Sequence, residues 1–499
     1  MDGLQLLLNG FAAALTLNNL VFALTGCVLG TLIGVLPGLG PAAGTAILIP
    51  LTFKLDATAA IIMLAAIYYG AMYGGTITSV LINVPGEAAS VVTCLDGYQM
   101  ARQGRGGAAL GIAAIGSFIG GVFATLMLTV LALPLAKLAL SFGPPEFFAL
   151  MLLGICLVTG LAGRSLLAAL AMTVFGLLLA MIGIDPVRGA PRFTYGIPEL
   201  LDGVGFIPVV MGMFGVAEIL ITAESTRHTV IDTRLAAMLP SRAEWKRSAG
   251  AIGRGTLIGF FLGLIPGVGA IIPTFMAYIA EKRLSKHPEA FGNGAIEGVA
   301  APESANNSYA NASMVPLLVL GVPSSPTIAV LMGAFIINGL TPGPLLFAER
   351  PDLVWTVIAS FFVGNVMLLI LNLPLVGVWA SILRLPTSYL CAGTLVFCIV
   401  GAYSLKGSTF DIAVMLVFGL IGYVLRKLDF PLAPTVLALI LGPFMEKSLR
   451  TSLEMSGGDF SILFTRPISA TFIAISATVL IVSTLRLATV RAMKQAETL

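Results

Sequence analysis

A chain of 499 residues that is 58% hydrophobic and only 10% charged, with a mean hydropathy of +1.00, is not a soluble globular protein, because soluble domains carry roughly 25% charged residues. Its net charge of +3 is spread thinly, which excludes a nucleic-acid-binding surface. Two histidines in charged loops and five scattered cysteines offer neither a disulfide framework nor a zinc or haem site, and no cofactor is expected.

The opening MDGLQLLLNGF has no basic region and no small-residue cleavage site, so it is expected to be retained. Charge-free runs then cover 3–53, 57–86, 106–136, 304–348, 353–383 and 467–485. Each exceeds the ~18 residues of a spanning-helix candidate. Backbone polar groups in lipid must pair within their own segment, so the spans are expected to be helices. Strand-like alternation is absent, which argues against a β-barrel.

The first motif is GTLIGVLPGLG, Gly30 to Gly40, of pattern GxxxGxxPGxG. Proline removes a backbone donor and clashes with the preceding turn, so Pro37-Gly38 is expected to break a helix at membrane depth. The free amides of a broken helix end carry partial positive charge and attract carboxylates, which makes Gly38 and Gly40 substrate-binding candidates. For Gly30 and Gly34, close helix packing is an equal alternative.

YGGTITSVLINVPG (73–86) follows, with Thr76 and Ser79, and leads into a predicted hairpin tip, NVPGEAAS (83–90). Glu87 there is a lone carboxylate in apolar sequence. It either couples a cation or caps a helix in an interface. Arg102 and Arg105 mark the next loop as cytoplasmic, as Arg164 does a later one. The one long hydrophilic stretch, ESTRHTVIDTRLAAMLPSRAEWKRS (224–248), holds five basic and three acidic residues. It reads as a cytoplasmic linker between a first membrane repeat, 1–223, and a second, 249–499, with a C-terminal helix.

After the linker the motif returns as GFFLGLIPGVG, Gly259 to Gly269, at an offset of 229. Gly267 and Gly269 are the counterparts of Gly38 and Gly40. Next comes APESANNSYANASMVP (301–316), where Glu303, Asn306, Asn307, Ser308, Asn311 and Ser313 crowd amides and hydroxyls near membrane depth. Ser304, Asn307, Ser308 and Asn311 fall near one helical face. Such groups need partners: a cation, a substrate, or neighbouring helices. Asn306, Asn307, Asn311 and Glu87 are the cation-binding candidates. GVPSSPT (321–327) forms a second tip with Ser324 and Ser325, which join Thr76, Ser79 and the motif glycines as substrate-binding candidates.

The correspondence continues in order: 73–86 with 311–324, 95–110 with 331–346, ALPL with NLPL and VFGLL with VFGLI. Placing Arg102, Arg105, Arg164, the linker, Lys282, Arg283, Lys286, Arg426, Lys427 and the tail Arg486, Arg491 and Lys494 all in the cytoplasm turns the second half upside down relative to the first. The expected fold is therefore an all-α polytopic membrane protein. It has two inverted-topology repeats with broken helices and re-entrant hairpins, and about 10–14 membrane segments.

YYGAMYGGTITSVLINVPGEAASVVTCLDGYQMARQGRGGAAL (68–110), the two PGxG segments, APESANN (301–307) and LTPGPLLF (340–347) resemble the tripartite tricarboxylate transporter family, in its large permease subunit, the TctA type. The resemblance covers nearly the whole chain, including GDF at Gly458 and RPI at Arg466. It implies a multi-pass protein of the bacterial inner membrane that imports carboxylates. Its implied partners are a small membrane subunit and a periplasmic solute-binding protein, and its implied drive is an ion gradient, Na+ or H+. The carboxylate itself is not implied; related systems serve citrate, other di- or tricarboxylates and aromatic acids. No GxxxxGK(S/T) motif is present to cradle a nucleotide phosphate. The alternatives are an ATP-independent membrane enzyme or a passive channel for small anions. Asp96 and Glu87 are isolated for an enzyme's metal cluster, and charged rings for a channel are lacking.

Overall fold

A computed structural model of the chain describes residues 3–36, 40–161, 165–185, 189–224, 239–382 and 387–497. Gly38, Arg164 and linker residues 225–238 lie outside these, as do the side chains of Arg486, Arg491 and Lys494. The described chain is almost wholly helical.

Helices α1 (Gly3–Ala14) and α2 (Leu17–Val35) lead to α3 (Gly40–Leu48) and a 3₁₀ turn, Ile49–Thr52. Helix α4 (Ala57–Ile82) starts at Asp56, whose carboxylate accepts from the Thr58 and Ala59 amides at 3.0 and 3.1 Å, a standard N-cap. It ends at Asn83, with φ of 56°, and the tip turns through Ala88–Ser90 into α5 (Val91–Arg102). Next come α6 (Gly106–Ala139), α7 (Pro144–Leu161) and α8 (Leu166–Ala180). A two-stranded ribbon, β1 (Gly183–Ile184) against β2 (Pro191–Arg192), precedes α9 (Phe206–Val210), which runs through one π-helical stretch into α10 (Ala217–Ala223).

Beyond the linker lie α11 (Arg242–Gly263), α12 (Ile271–Leu284), α13 (Glu297–Ala312) and α14 (Met314–Leu320). Helix α11 begins inside the predicted linker because Ser241 and Glu244 form a capping box. Pro316 clashes with the turn containing Ala312, so α13 and α14 step apart at Ser313. A tip at 321–325 turns into α15 (Pro326–Ile337), followed by α16 (Pro344–Glu349), α17 (Pro351–Asn372) and α18 (Val376–Ile382). The chain closes with α19 (Thr387–Lys406), α20 (Thr409–Lys427), α21 (Ala433–Met455), α22 (Ile462–Thr465) and α23 (Pro467–Glu497). Among the described residues, seven helical stretches are long and apolar enough to span a membrane by length and composition, and shorter apolar helices accompany them. The chain is an all-α polytopic membrane protein.

Two helices sit at the centre. In α4 nearly every residue is buried, as expected for a helix apolar on all sides. Helix α13 is equally buried but polar. Helices α2 and α17 pack on α4, while α11 and α6 pack on α13. The contact is backbone to backbone. A Cβ on Gly30 would lie 2.4 Å from the Ile67 carbonyl oxygen, and one on Gly259 would lie 2.2 Å from that of Ala305. The GxxxG part of each motif is thus a packing device.

Elements also cross between the halves. Helix α15 packs on α3, and α5 with its preceding turn packs on α12. Asp96 of α5 fastens the second contact. Its Oδ1 accepts from the amides of Gly292, Gly294 and Ala295 at 2.8–2.9 Å, and its Oδ2 from the Tyr278 hydroxyl at 2.9 Å. Nearby, Arg105 pairs with Glu244 at 2.6 Å and Arg247 with Glu297 at 2.7 Å. The Arg102–Arg105 loop, the start of α11 and the α12–α13 connection therefore share one end of the molecule. At Glu244, burial raises the carboxyl pKa, but Arg105 and the Ser241 cap outweigh it and hold the group below its ordinary range.

Candidate functional site

Polar side chains on α13 are surrounded by apolar helices, so each must find a partner inside the protein. Glu303 is buried and meets two hydroxyls from the first half. Thr76 of α4 donates to its Oε2 at 2.6 Å, and Thr93 of α5 donates to its Oε1. Its backbone carbonyl accepts from Ser117 of α6 at 3.3 Å. Asn307 donates to Ser117 Oγ at 2.7 Å, and Asn311 donates to the Asn307 carbonyl at 3.0 Å while accepting from Thr125 of α6 at 3.3 Å. Ser308 donates to the Thr256 carbonyl of α11.

One residue round the helix, Asn306 faces the first tip and donates to Glu87 Oε1 at 2.9 Å. The other carboxylate oxygen of Glu87 accepts from the Ala89 amide at 2.8 Å, in a capping box with Ser90. Ser79 donates within this tip region, to the Gly75 carbonyl and to Ser90 Oγ, both at 2.9 Å. Small residues let the tip seat: a Cβ on Gly86 would lie 2.2 Å from the Gly34 carbonyl oxygen, at the end of α2. Both carboxylates, Glu87 and Glu303, are buried, and among the described residues neither is in an ion pair. Two buried acids held only by neutral donors call for a proton or another cation.

The second tip seats on the second break. The Gly267 amide donates to the Ser324 carbonyl at 3.1 Å. The Tyr309 hydroxyl donates to the same carbonyl at 3.3 Å and also faces the Gly269 amide and Ser325. Ser325 caps α15 through the Ile328 amide at 3.3 Å. Ser324 Oγ is buried with no hydrogen-bond partner, as are Asn306 Oδ1 and Asn307 Oδ1. Gly40 and Gly269 both adopt left-handed backbone, with φ of 62° and 68°, and a Cβ on either would meet nothing within 4 Å. Gly267, in contrast, is pressed on the Val158 amide of α7.

The structure thus brings Glu87 and Asn306 together, and separately Gly267, Gly269, Ser324 and Ser325. It does not bring all four cation candidates into one cluster, because Asn307 and Asn311 turn towards α6. Thr76 sits with Glu303, not with the tips, and Ser79 holds its own tip. Gly38 lies outside the described residues. Sequence reasoning passed over Thr93, Ser117 and Tyr309 and left the role of Glu303 open. Thr93 and Ser117 are isolated hydroxyls in apolar stretches, and nothing in their local pattern marks them. Among the described residues no group of three or more His, Cys, Asp or Glu side chains is placed to hold a metal.

Comparison with known proteins agrees along the length of the chain. An uncharacterized 52.8 kDa protein of the TAR-I ttuC' 3' region of Agrobacterium vitis is 46% identical over 487 residues, covering 97% of both chains. A second protein of that organism, from the TAR-II ttuC' 3' region, is 43% identical over 227 residues, 46% of this chain and 94% of its own. No solved structure matches. The pattern of the tripartite tricarboxylate transporter TctA family matches residues 20–437.

Proposed function

Because the chain belongs to the tripartite tricarboxylate transporter TctA family, we propose that it is the large transmembrane subunit of a binding-protein-dependent secondary transporter. It imports di- and tricarboxylates, citrate-like acids among them, by symport with Na+ or H+. It works in the bacterial inner membrane with a small membrane subunit and a periplasmic solute-binding protein. The observation that carries the coupling is the pair of buried acids, Glu87 and Glu303, each held by neutral donors alone. Importing an anion past two fixed carboxylates requires that they be neutralised, and a co-transported cation does so.

In this reading the substrate carboxylates meet the open glycine amides at Gly40 and Gly269 and the hydroxyls of Ser324 and Ser325, with Gly267 shaping the second break. The cation is held by Glu87 and Asn306, while Asn307 and Asn311, turned towards α6, set the surroundings of the second acid, Glu303. The two halves are repeats, supported by their shared order of elements, and placing the basic loops in the cytoplasm makes the second the inverse of the first. Alternating access is then a movement of tips and broken helices of one half against the other.

The test is uptake of labelled citrate, and of a panel of other carboxylates, into proteoliposomes holding this chain, its small partner and a cognate binding protein. The expected result is uptake that needs the binding protein, responds to an imposed sodium or proton gradient and ignores ATP. Uptake that needs ATP, or that runs passively without the binding protein, would overturn the proposal.

A further inference from the structure

We propose that a sodium-ion site lies between α4, α6 and the end of α17, in a small cavity beside Glu303 and apart from the Glu87–Asn306 pair. The cavity has room for about one water-sized particle, ≈ 10 Å³, and its polar lining is Tyr73, Thr76, Ser117 and Asn372. Tyr73 and Asn372 are only 3% and 4% exposed, and the Tyr73 hydroxyl and Asn372 Oδ1 have no hydrogen-bond partner. Buried oxygens of this kind are rarely left unpaired. Thr76 donates its hydroxyl proton to Glu303 Oε2, which turns its lone pairs away from the carboxylate. Ser117 donates to the Glu303 carbonyl and accepts from Asn307, which leaves it one lone pair.

The site therefore offers oxygen lone pairs and no nitrogen or sulfur ligand, which selects a hard cation. Among the described residues the charge next to it is the Glu303 carboxylate, one hydroxyl away. A monovalent ion balances that charge, whereas a divalent ion would remain half uncompensated in a desolvated setting. A dehydrated sodium ion is smaller than a water molecule and enters without displacing a wall. The three helices come from both halves of the chain, and α5 also reaches Glu303 through Thr93. A bound ion thus couples the first tip's helical hairpin to α13. The inference rests on the cation-symport reading and assigns sodium, at named ligands, as a coupling ion.

The experiment is a thermal-unfolding titration of the purified full chain in detergent, with NaCl compared against KCl and choline chloride at constant ionic strength and without substrate. A ligand that binds only the native state raises the transition as its concentration rises. Wild type is expected to show a sodium-specific rise. Tyr73→Phe, which removes only the hydroxyl, and Asn372→Leu are expected to need at least tenfold more sodium while keeping the wild-type transition in choline. No sodium-specific rise in wild type overturns the site, as does wild-type sodium dependence in Tyr73→Phe, the variant least able to disturb folding. Uptake driven by protons alone, without a sodium response, would also remove the site while leaving symport intact. Failure of uptake under every gradient would instead remove the symport reading, and the sodium titration of the isolated chain would still be decided on its own.

Discussion

Asn307 and Ser325 lie in different polar clusters, and each makes hydrogen bonds whose loss is modest. Asn307 donates to Ser117, and Ser325 caps α15. Replacing either by alanine costs about 1 kcal/mol of stability, too little to stop a large helical protein from inserting. Asn307→Ala and Ser325→Ala are therefore expected to insert normally, judged by membrane yield and monodispersity, and to cut carboxylate uptake roughly tenfold or more. Normal uptake by both would remove them from the site. Residue type alone pointed to Glu87, the asparagines and the tip serines, because amides, hydroxyls and an acid in apolar sequence stand out. Their pairing was not legible. Thr93 and Glu303 are 210 positions apart, and nothing local tells a threonine in an apolar helix that its hydroxyl meets a carboxylate and not its own backbone.

At the level of elements, the repeated motif divides into two parts with different physics. Its GxxxG portion allows α2 to touch α4 and α11 to touch α13, and its PGxG portion carries the left-handed glycines. Helix α11 contains its own control. Gly259 abuts the Ala305 carbonyl, with a would-be Cβ at 2.2 Å, whereas a Cβ on Gly253 meets nothing within 4 Å. Gly259→Val is expected to cost roughly 3 kcal/mol or more, at or beyond the upper range for overpacking. Gly253→Val is expected to keep the wild-type transition in detergent unfolding, within ~0.5 kcal/mol. Equal behaviour of the two would refute the packing assignment. The sequence pointed to a break at PGxG and left packing as an equal alternative at the GxxxG glycines, because one continuous pattern carries both. Only the partner helix distinguishes them.

For the whole molecule, the contact between Arg105 and Glu244 places the first basic loop and the start of α11 at the same end. In a background without native cysteines, Arg105→Cys with Glu244→Cys is expected to cross-link with a short reagent. Each single cysteine should then be modified from the cytoplasmic side only by an impermeant thiol reagent. Modification from opposite sides would sink the arrangement. The helical class and its polytopic character were legible from composition and charge-free runs, since lipid leaves few alternatives. The crossing of α15 onto α3 and of α5 onto α12 was not, because apolar surfaces carry little information about which apolar neighbour they choose.

The polarity of α13 has a consequence for how the protein is made. With two glutamates, a proline and several amides in one buried helix, this segment has little drive to leave the translocon for lipid unaided. The first-half side chains that it hydrogen-bonds, Thr76, Thr93, Ser117 and Glu87 among them, are synthesised earlier. The first half must therefore wait in the bilayer with an unfilled polar groove, and α13 enters as the guest of a waiting host. A ribosome paused within the linker would leave that groove open to quality control, and the order of the two halves along the gene becomes part of the folding mechanism.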